Sequence, residues 1–425
     1  MYLKNNSTSG ERRKRVRLPF LRDEAKRKLA KIKSADIVVG VPSYNSESTI
    51  ENVARIVAEG LDRYFPSLKG VFFLADGGST DDTREKVAGL GLGRTQKVIT
   101  IYRGSPGKGS AVRATLGAVA LLKAKVGVTL DADLRSIKPE WIKLMGEPIL
   151  KDKCDFISPL YLRHKFDATI TNDIAYPLTR SLYGVRIKQP IGGDFAFSNI
   201  LAKDLLSEDV WHTEVARFGV DIFITTTALA KGYRSGEAAL GVKIHDPKDP
   251  IELTSMLREV VGTLFSLAGK YYERWSKIKG SVSPRIPGKL EFVEPQQVKV
   301  NLEELRMGFR AGWERFYPLW TDILEKETLE GLTRVKEEEE SLSPTLWARI
   351  LYDYLVAYQV PVSSIDKPRL LWSLVPLYRM RTASFIEETQ KMSNQEAERV
   401  IEAQAEIFED LKPYLIKRWS SELEG

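Results

Sequence analysis

Four short apolar runs, each closing in a polar or glycine-rich loop that leads into a stretch of helical spacing, restrict this chain more than any other feature. Ala35-Asp36-Ile37-Val38-Val39-Gly40-Val41-Pro42 reads as a buried strand stopped by a proline that has no amide hydrogen for a ladder. Residues 70 to 74 and 97 to 102 read as a second and a third strand. The fourth, Val126-Gly127-Val128-Thr129-Leu130-Asp131-Ala132-Asp133, ends in two carboxylates separated by one alanine. Between them, Ile50 to Tyr64, with Ser48 or Thr49 as N-cap, and residues 110 to 123 carry the 3.6-residue apolar period of helices. Strand and helix alternating at this spacing predict an α/β unit with a mainly parallel sheet and helices on both faces.

In such a sheet ligands gather outside the carboxyl ends of the strands, so the loops after them are the place to look for chemistry. Alternate residues of a strand share a face, so a fourth strand persisting to Asp133 aims Asp131 and Asp133 the same way. Two aligned anions need a cation or protons to compensate them, and a divalent metal carrying a diphosphate supplies that. By itself Asp-Ala-Asp reads more simply as an Asx-rich turn. The neighbouring loops shift the balance. The polar loop after the first strand and Asp76 after the second can hydrogen-bond a nucleoside. Gly107-Lys108-Gly109 admits an anion close to backbone, beside a mobile charge and a helix N-terminus.

Composition removes other classes. The chain has 425 residues, 43% hydrophobic and 28% charged, as in ordinary globular proteins. The single cysteine, Cys154, excludes an intramolecular disulfide framework and a cysteine-cluster metal site. No apolar run is long enough to span a bilayer and no signal-peptide core is present, which predicts a cytoplasmic protein without stable membrane insertion. The net charge of +7 concentrates in residues 11 to 33, which lack the interleaved aromatics of a nucleic-acid-binding surface. They are expected to form a solvated tail or surface helix. Gly40 belongs to no Gly-x-Gly-x-x-Gly, and Gly104 to Gly109 lack phosphate-loop spacing, against an NAD enzyme or a P-loop ATPase. Beyond residue 260 the pattern turns to aromatic-rich helices, over 301–329, 343–358, 369–388 and 394–418, after a proline-rich connector at Ser281 to Pro295. The expected division is a basic segment 1–34, a catalytic domain 35–265 and a helical domain 266–425.

Val41-Pro42-Ser43-Tyr44-Asn45, Asp76-Gly77-Gly78-Ser79-Thr80-Asp81-Asp82-Thr83, Gly107-Lys108-Gly109 and Asp131-Ala132-Asp133 resemble the successive motifs of nucleotide-sugar-dependent glycosyltransferases with the GT-A fold, a Rossmann-like architecture. Gln189-Pro190-Ile191-Gly192-Gly193-Asp194, Phe218-Gly219-Val220-Asp221-Ile222 and Lys243-Ile244-His245-Asp246 resemble the mannosylglycerate, glucosylglycerate and glucosyl-3-phosphoglycerate synthase families. The match covers roughly residues 36 to 265.

That resemblance implies a donor site of Pro42, Tyr44, Asn45, Glu47, Asp76, Lys108, Asp131, Ala132, Asp133, Gln189, Gly192 and Gly193. It implies a divalent cation, Mg2+ or Mn2+, on Asp133 and His245, and a reacting centre at Asp221 and Asp194. Arg163, Asp167 and Thr171 resemble an acceptor-binding run, in which a guanidinium grips a carboxylate. The phosphoglycerate-using relatives carry Gly-Arg-Val-Thr where this chain has Ala168-Thr169-Ile170-Thr171, which favours an unphosphorylated acid.

The expected activity moves glucose or mannose from a GDP- or UDP-linked sugar to D-glycerate or a related hydroxy acid, with retention of configuration. Glucosyl-3-phosphoglycerate synthase, a polyprenyl-phosphate sugar transferase and a non-catalytic nucleotide-sugar-binding regulator are the alternatives. A homo-oligomer is compatible with all of these readings.

Overall fold

The computed structural model describes residues 18–244, 253–289, 294–295, 297–360 and 366–423. Seven strands form one sheet: β1 Ile37–Ser43, β2 Gly70–Asp76, β3 Gln96–Ile101, β4 Val126–Thr129, β5 Phe156–Leu162, β6 Phe195–Ser198 and β7 Ser235–Val242. Their order is β3-β2-β1-β4-β6-β5-β7. Every neighbouring pair is parallel except the two that β6 makes with β4 and β5. The chain builds outward from β1 to β3 and then returns to β1's other side with β4. That reversal opens a crevice at the carboxyl ends of β1 and β4, where open α/β sheets bind ligands.

Alternation along the strands sorts the core. Ile37, Val39 and Val41 meet the Ile50–Tyr64 and Pro139–Leu150 helices on one face. Val38, Val71, Phe73 and Val98 meet the Lys108–Leu122, Asn199–Ser207 and Val220–Ala230 helices on the other. The predicted Ile50 to Tyr64 helix is found with those bounds. Thr49 precedes it without capping it, and its hydroxyl instead donates to the Ala132 carbonyl at 2.7 Å.

Three expectations change. Pro42 does not stop β1, which stays paired with β2 through Ser43. Pairing with β4 has already ended at Gly40, so the missing proline amide leaves no ladder bond unmade on that side. Conversely, β4 ends at Thr129 and does not carry Asp131 and Asp133. The Asp131 amide donates to the Asp194 carboxylate at 2.8 Å instead of to a strand, and Ala132 and Asp133 form a turn. The third change is partial: of the two forms expected for the basic segment, the solvated tail is lost and the described part takes the helix, over Asp23–Ile32. Leu18, Phe20 and Leu21 are buried, Leu29 of the Asp23–Ile32 helix packs on the same core, and Ala25 of that helix is buried as well.

Beyond β7 the structure is helical, with Leu302–Ile323, Lys326–Glu337, Pro344–Gln359, Lys367–Thr389, Asn394–Asp410 and Lys412–Leu423. The predicted 301–329 segment is thus two helices, broken where Leu324 leaves helical geometry. The boundary expected at residue 265 falls inside the Thr254–Lys270 helix, whose Leu257, Val261 and Leu264 share one core with Ile174, Leu178 and the C-terminal helices. The proline-rich stretch is partly structural: Glu237 and Ala239 of β7 donate to the Arg285 and Pro287 carbonyls. Among the described residues no helix is long and apolar enough to cross a membrane.

Candidate active site

The crevice is a cavity of about 950 Å³. Pro42, Tyr44 and Asn45 line it from the end of β1, Gly107 and Lys108 from the start of the Lys108–Leu122 helix, and Asp131, Ala132 and Asp133 from the turn after β4. Arg163 and residues 166 to 171 enter from the loop after β5, Gly192 and Gly193 from the approach to β6, and Asp221 from the first turn of the Val220–Ala230 helix.

Two lysines and three carboxylates organise its floor. Lys108 Nζ lies 2.8 Å from Asp131 Oδ1 and 3.1 Å from Asp221 Oδ2. Lys243 Nζ lies 2.9 Å from Asp131 Oδ2, 2.9 Å from Asp194 Oδ2 and 3.1 Å from the Gly192 carbonyl. Tyr161 donates to Asp194 Oδ2 at 2.6 Å. Burial is the largest single influence and works against both ammonium groups, but Asp131 together with Asp221 for Lys108, and with Asp194 for Lys243, outweighs it, so both pKa values are raised. Burial likewise opposes ionisation of Asp131, and the two lysines reverse that and hold its pKa well below the usual carboxylate range. Asp221 differs. Burial dominates there and pushes its pKa up, and its buried Oδ1 has no hydrogen-bond partner among the described residues. An acceptor oxygen left unmatched in a cavity wall is an opening for a ligand's hydroxyl.

Two glycines allow this packing. A Cβ on Gly109 would sit 1.8 Å from the Val215 carbonyl oxygen, so the start of its helix can press against the Glu214–Ala216 turn and bring Lys108 to Asp221. Gly193 has φ of +90°, and a Cβ there would meet Asp131 Oδ2 at 2.5 Å.

The structure brings Pro42, Tyr44, Asn45, Lys108, Asp131, Ala132, Asp133, Gly192, Gly193, Asp221, Arg163, Asp167 and Thr171 to one cavity. Four expected residues stand behind its wall. Asp76 is fully buried and accepts four hydrogen bonds, from the Gly78 and Ser79 amides and the Ser43 and Ser79 hydroxyls, so it knots two loops together and does not face the cavity. Glu47 accepts from the Asp82 amide on the outside of the same knot. Gln189 donates to the Tyr161 carbonyl at 2.9 Å. Asp194 is buried beneath Asp131 and holds it in place. His245 lies outside the described residues. Among those described, no group of three or more His, Cys, Asp or Glu side chains converges as a metal site. Lys243 and Tyr161 were not expected in the network. Lys243 follows β7 in the stretch that also holds His245, a position after a strand that could have marked it.

Residues 38–206 match Glycosyl transferase family 2. Glucosyl-3-phosphoglycerate synthase of Mycobacterium tuberculosis is 27% identical over 252 residues, 55% of this chain and 74% of the relative. That of Mycolicibacterium smegmatis is 27% identical over 249 residues, 55% of this chain and 78% of the relative. The crystal structure of the M. tuberculosis enzyme with Mn2+, uridine diphosphate and glucosyl-3-phosphoglycerate aligns over 58% of this chain and 84% of that one, at 25% identity and a TM-score of 0.45. The chain is a glycosyltransferase, and its motifs resemble those of the GT-A, nucleotide-sugar-using kind. Within that class it resembles glucosyl-3-phosphoglycerate synthase.

Proposed function

We propose that this protein transfers glucose from UDP-glucose to the 2-hydroxyl of D-glycerate, with a divalent cation, as a cytoplasmic enzyme. The observation that carries the reading is that the lysine–carboxylate floor and the Arg163, Asp167 and Thr171 wall belong to one cavity. A donor diphosphate at one end and a small hydroxy acid at the other would meet over Asp221.

Each part has its support. The amino end of the Lys108–Leu122 helix favours a diphosphate, and Lys108 adds a charge beside it. Asp133 lines the cavity and, by the resemblance of the Asp131-Ala132-Asp133 motif, is the carboxylate that would hold the cation together with His245. Bound there, the cation would neutralise charge growing on the departing diphosphate. Asp221 Oδ1 can accept the hydrogen bond of the attacking hydroxyl or face the positive charge that develops on the sugar ring. The Arg163 guanidinium, 5.6 Å from the Tyr161 ring centre and 3.8 Å from Asp167, is held in place to grip a carboxylate.

The second reading, 3-phosphoglycerate as acceptor, is favoured by the name of the relatives. Against it, the cavity lining includes the apolar Phe166, Ala168, Ile170, Ile191, Leu253 and Met256, which offer a phosphate nothing, although Arg163 and Arg217 line it too. Initial rates with UDP-glucose, GDP-glucose and GDP-mannose, each against D-glycerate and 3-phosphoglycerate with and without Mn2+, decide it. Preferential turnover of 3-phosphoglycerate, or undiminished turnover in chelator, would refute the proposal in its acceptor or its metal.

A further inference from the structure

The wall that carries Arg163, Asp167 and Thr171 is held less by the sheet it leaves than by the C-terminal helices. Lys165 donates its backbone amide to Asn394 Oδ1 at 2.9 Å. Its ammonium takes the carbonyls of Thr389, Gln390 and Met392, which close the Lys367–Thr389 helix. Positive charge at a helix carboxyl end is favourable, and here it also satisfies carbonyls the helix cannot pair. Four residues on, the Thr169 hydroxyl shares a buried hydrogen bond of 2.5 Å with the Tyr378 hydroxyl of that helix. Between them Phe166 packs against Ile386, Phe385 and Ile401.

The anchoring continues past the cavity. Residues Thr171–Ala175 form a π-turn, a wider winding often found at functional sites, ahead of Pro177. Its buried Asp173 lies 3.8 Å from Arg381 and takes Gln404 and Thr382 at 3.4 Å, while Trp347 donates to the Asp173 carbonyl at 2.7 Å. Lys165, Asn172 and Asp173, which do not line the cavity, each meet the C-terminal helices.

We infer that Lys165 and Tyr378 are positioning residues that set acceptor affinity by fixing this wall on the C-terminal helices. The inference rests on the reading of the wall as the acceptor site. A wall that spends only a fraction of its time in place binds its ligand more weakly by that fraction.

The test is steady-state kinetics on the full chain with Lys165→Met, Tyr378→Phe and, in parallel, Arg163→Ala. Each clamp variant should raise the acceptor KM about fivefold to tenfold, as loss of one or two hydrogen bonds allows. The donor KM and acceptor-independent donor hydrolysis should stay within about twofold, and Lys165→Arg should restore most of the loss. Hydrogen exchange of residues 163 to 175 should quicken while that of β1 and β4 does not. If Arg163→Ala raises the acceptor KM and both clamp variants behave as wild type, the clamp is wrong and the acceptor site stands. If Arg163→Ala leaves the acceptor KM unchanged, the acceptor reading falls and takes the clamp's role with it.

Discussion

Glu237 offers a quantitative test of the structure away from the reacting centre. It sits in β7 opposite Ser158, 1% exposed, and its Oε1 accepts the Lys188 amide at 2.7 Å. Burial is the largest influence on it, and the Lys188 and Gln189 amides and the Lys188 charge oppose that only in part, leaving its pKa raised from 4.5 to about 8. The Lys188 ammonium is no free counter-ion, since it is shared with Glu398 and Glu402. The folded state therefore holds the Glu237 proton more tightly than the unfolded state does. Its contribution to stability is fully present below pH 4.5 and is lost as pH rises through about 8.

At about 1.4 kcal/mol per unit, the loss is about 3 kcal/mol at pH 7 and at most about 5 kcal/mol above pH 8. Glu237→Gln keeps an oxygen to accept from Lys188 and removes the titration. Urea unfolding of both proteins at pH 5, 6, 7 and 8 should show the variant gaining on wild type by about 1.4 kcal/mol per pH unit across that range. A constant offset between the two would come from the extra amide hydrogens and is not the quantity at issue. Parallel curves would refute a protonated, buried Glu237.

At the site itself, Asp133→Ala should abolish metal-dependent binding of the donor nucleotide in titration calorimetry, because Asp131 is occupied by two lysines and cannot replace it; binding as tight as wild type would remove Asp133 from the metal site. Asp221→Asn should lower kcat at least about a hundredfold, and the acid limb of the wild-type kcat profile should lie above the ordinary carboxylate range, since burial raises the Asp221 pKa. A variant within threefold of wild type, roughly the scatter left by solvent-side substitutions, would place Asp221 away from the chemistry. Gly109→Ala should cost about 1–3 kcal/mol in thermal melts and weaken donor binding, because its methyl would meet backbone at 1.8 Å and push Lys108 from Asp221.

Much of the sheet was legible because apolar period and loop chemistry agree at β1 to β4, and the helices on either face follow from their 3.6-residue stripes. What escaped depends on partners far along the chain. The end of β4 at Thr129 is decided by Asp194, which takes the Asp131 amide from 63 positions away. Asp76 sits after a strand as a ligand-binding carboxylate would, yet its partners are Ser43, Gly78 and Ser79. Nothing local distinguishes a carboxylate that knots loops from one that grips a nucleoside. Lys243 belonged to a stretch whose histidine drew attention, and only folding shows that it reaches Asp131 and Asp194. The basic segment reads by charge as a solvated tail or a surface helix, and the apolar residues at 18, 20 and 21, with Leu29, decide for a docked helix.

Because the loop after β5 is pinned by residues more than two hundred positions later, the pocket cannot be completed as the chain emerges from the ribosome. A nascent polypeptide that has made all seven strands would hold a sheet and a diphosphate end, but its other wall would still await the helix from Lys367 to Thr389. On the proposed acceptor role of this wall, selectivity for the acceptor is acquired only once that helix has been made.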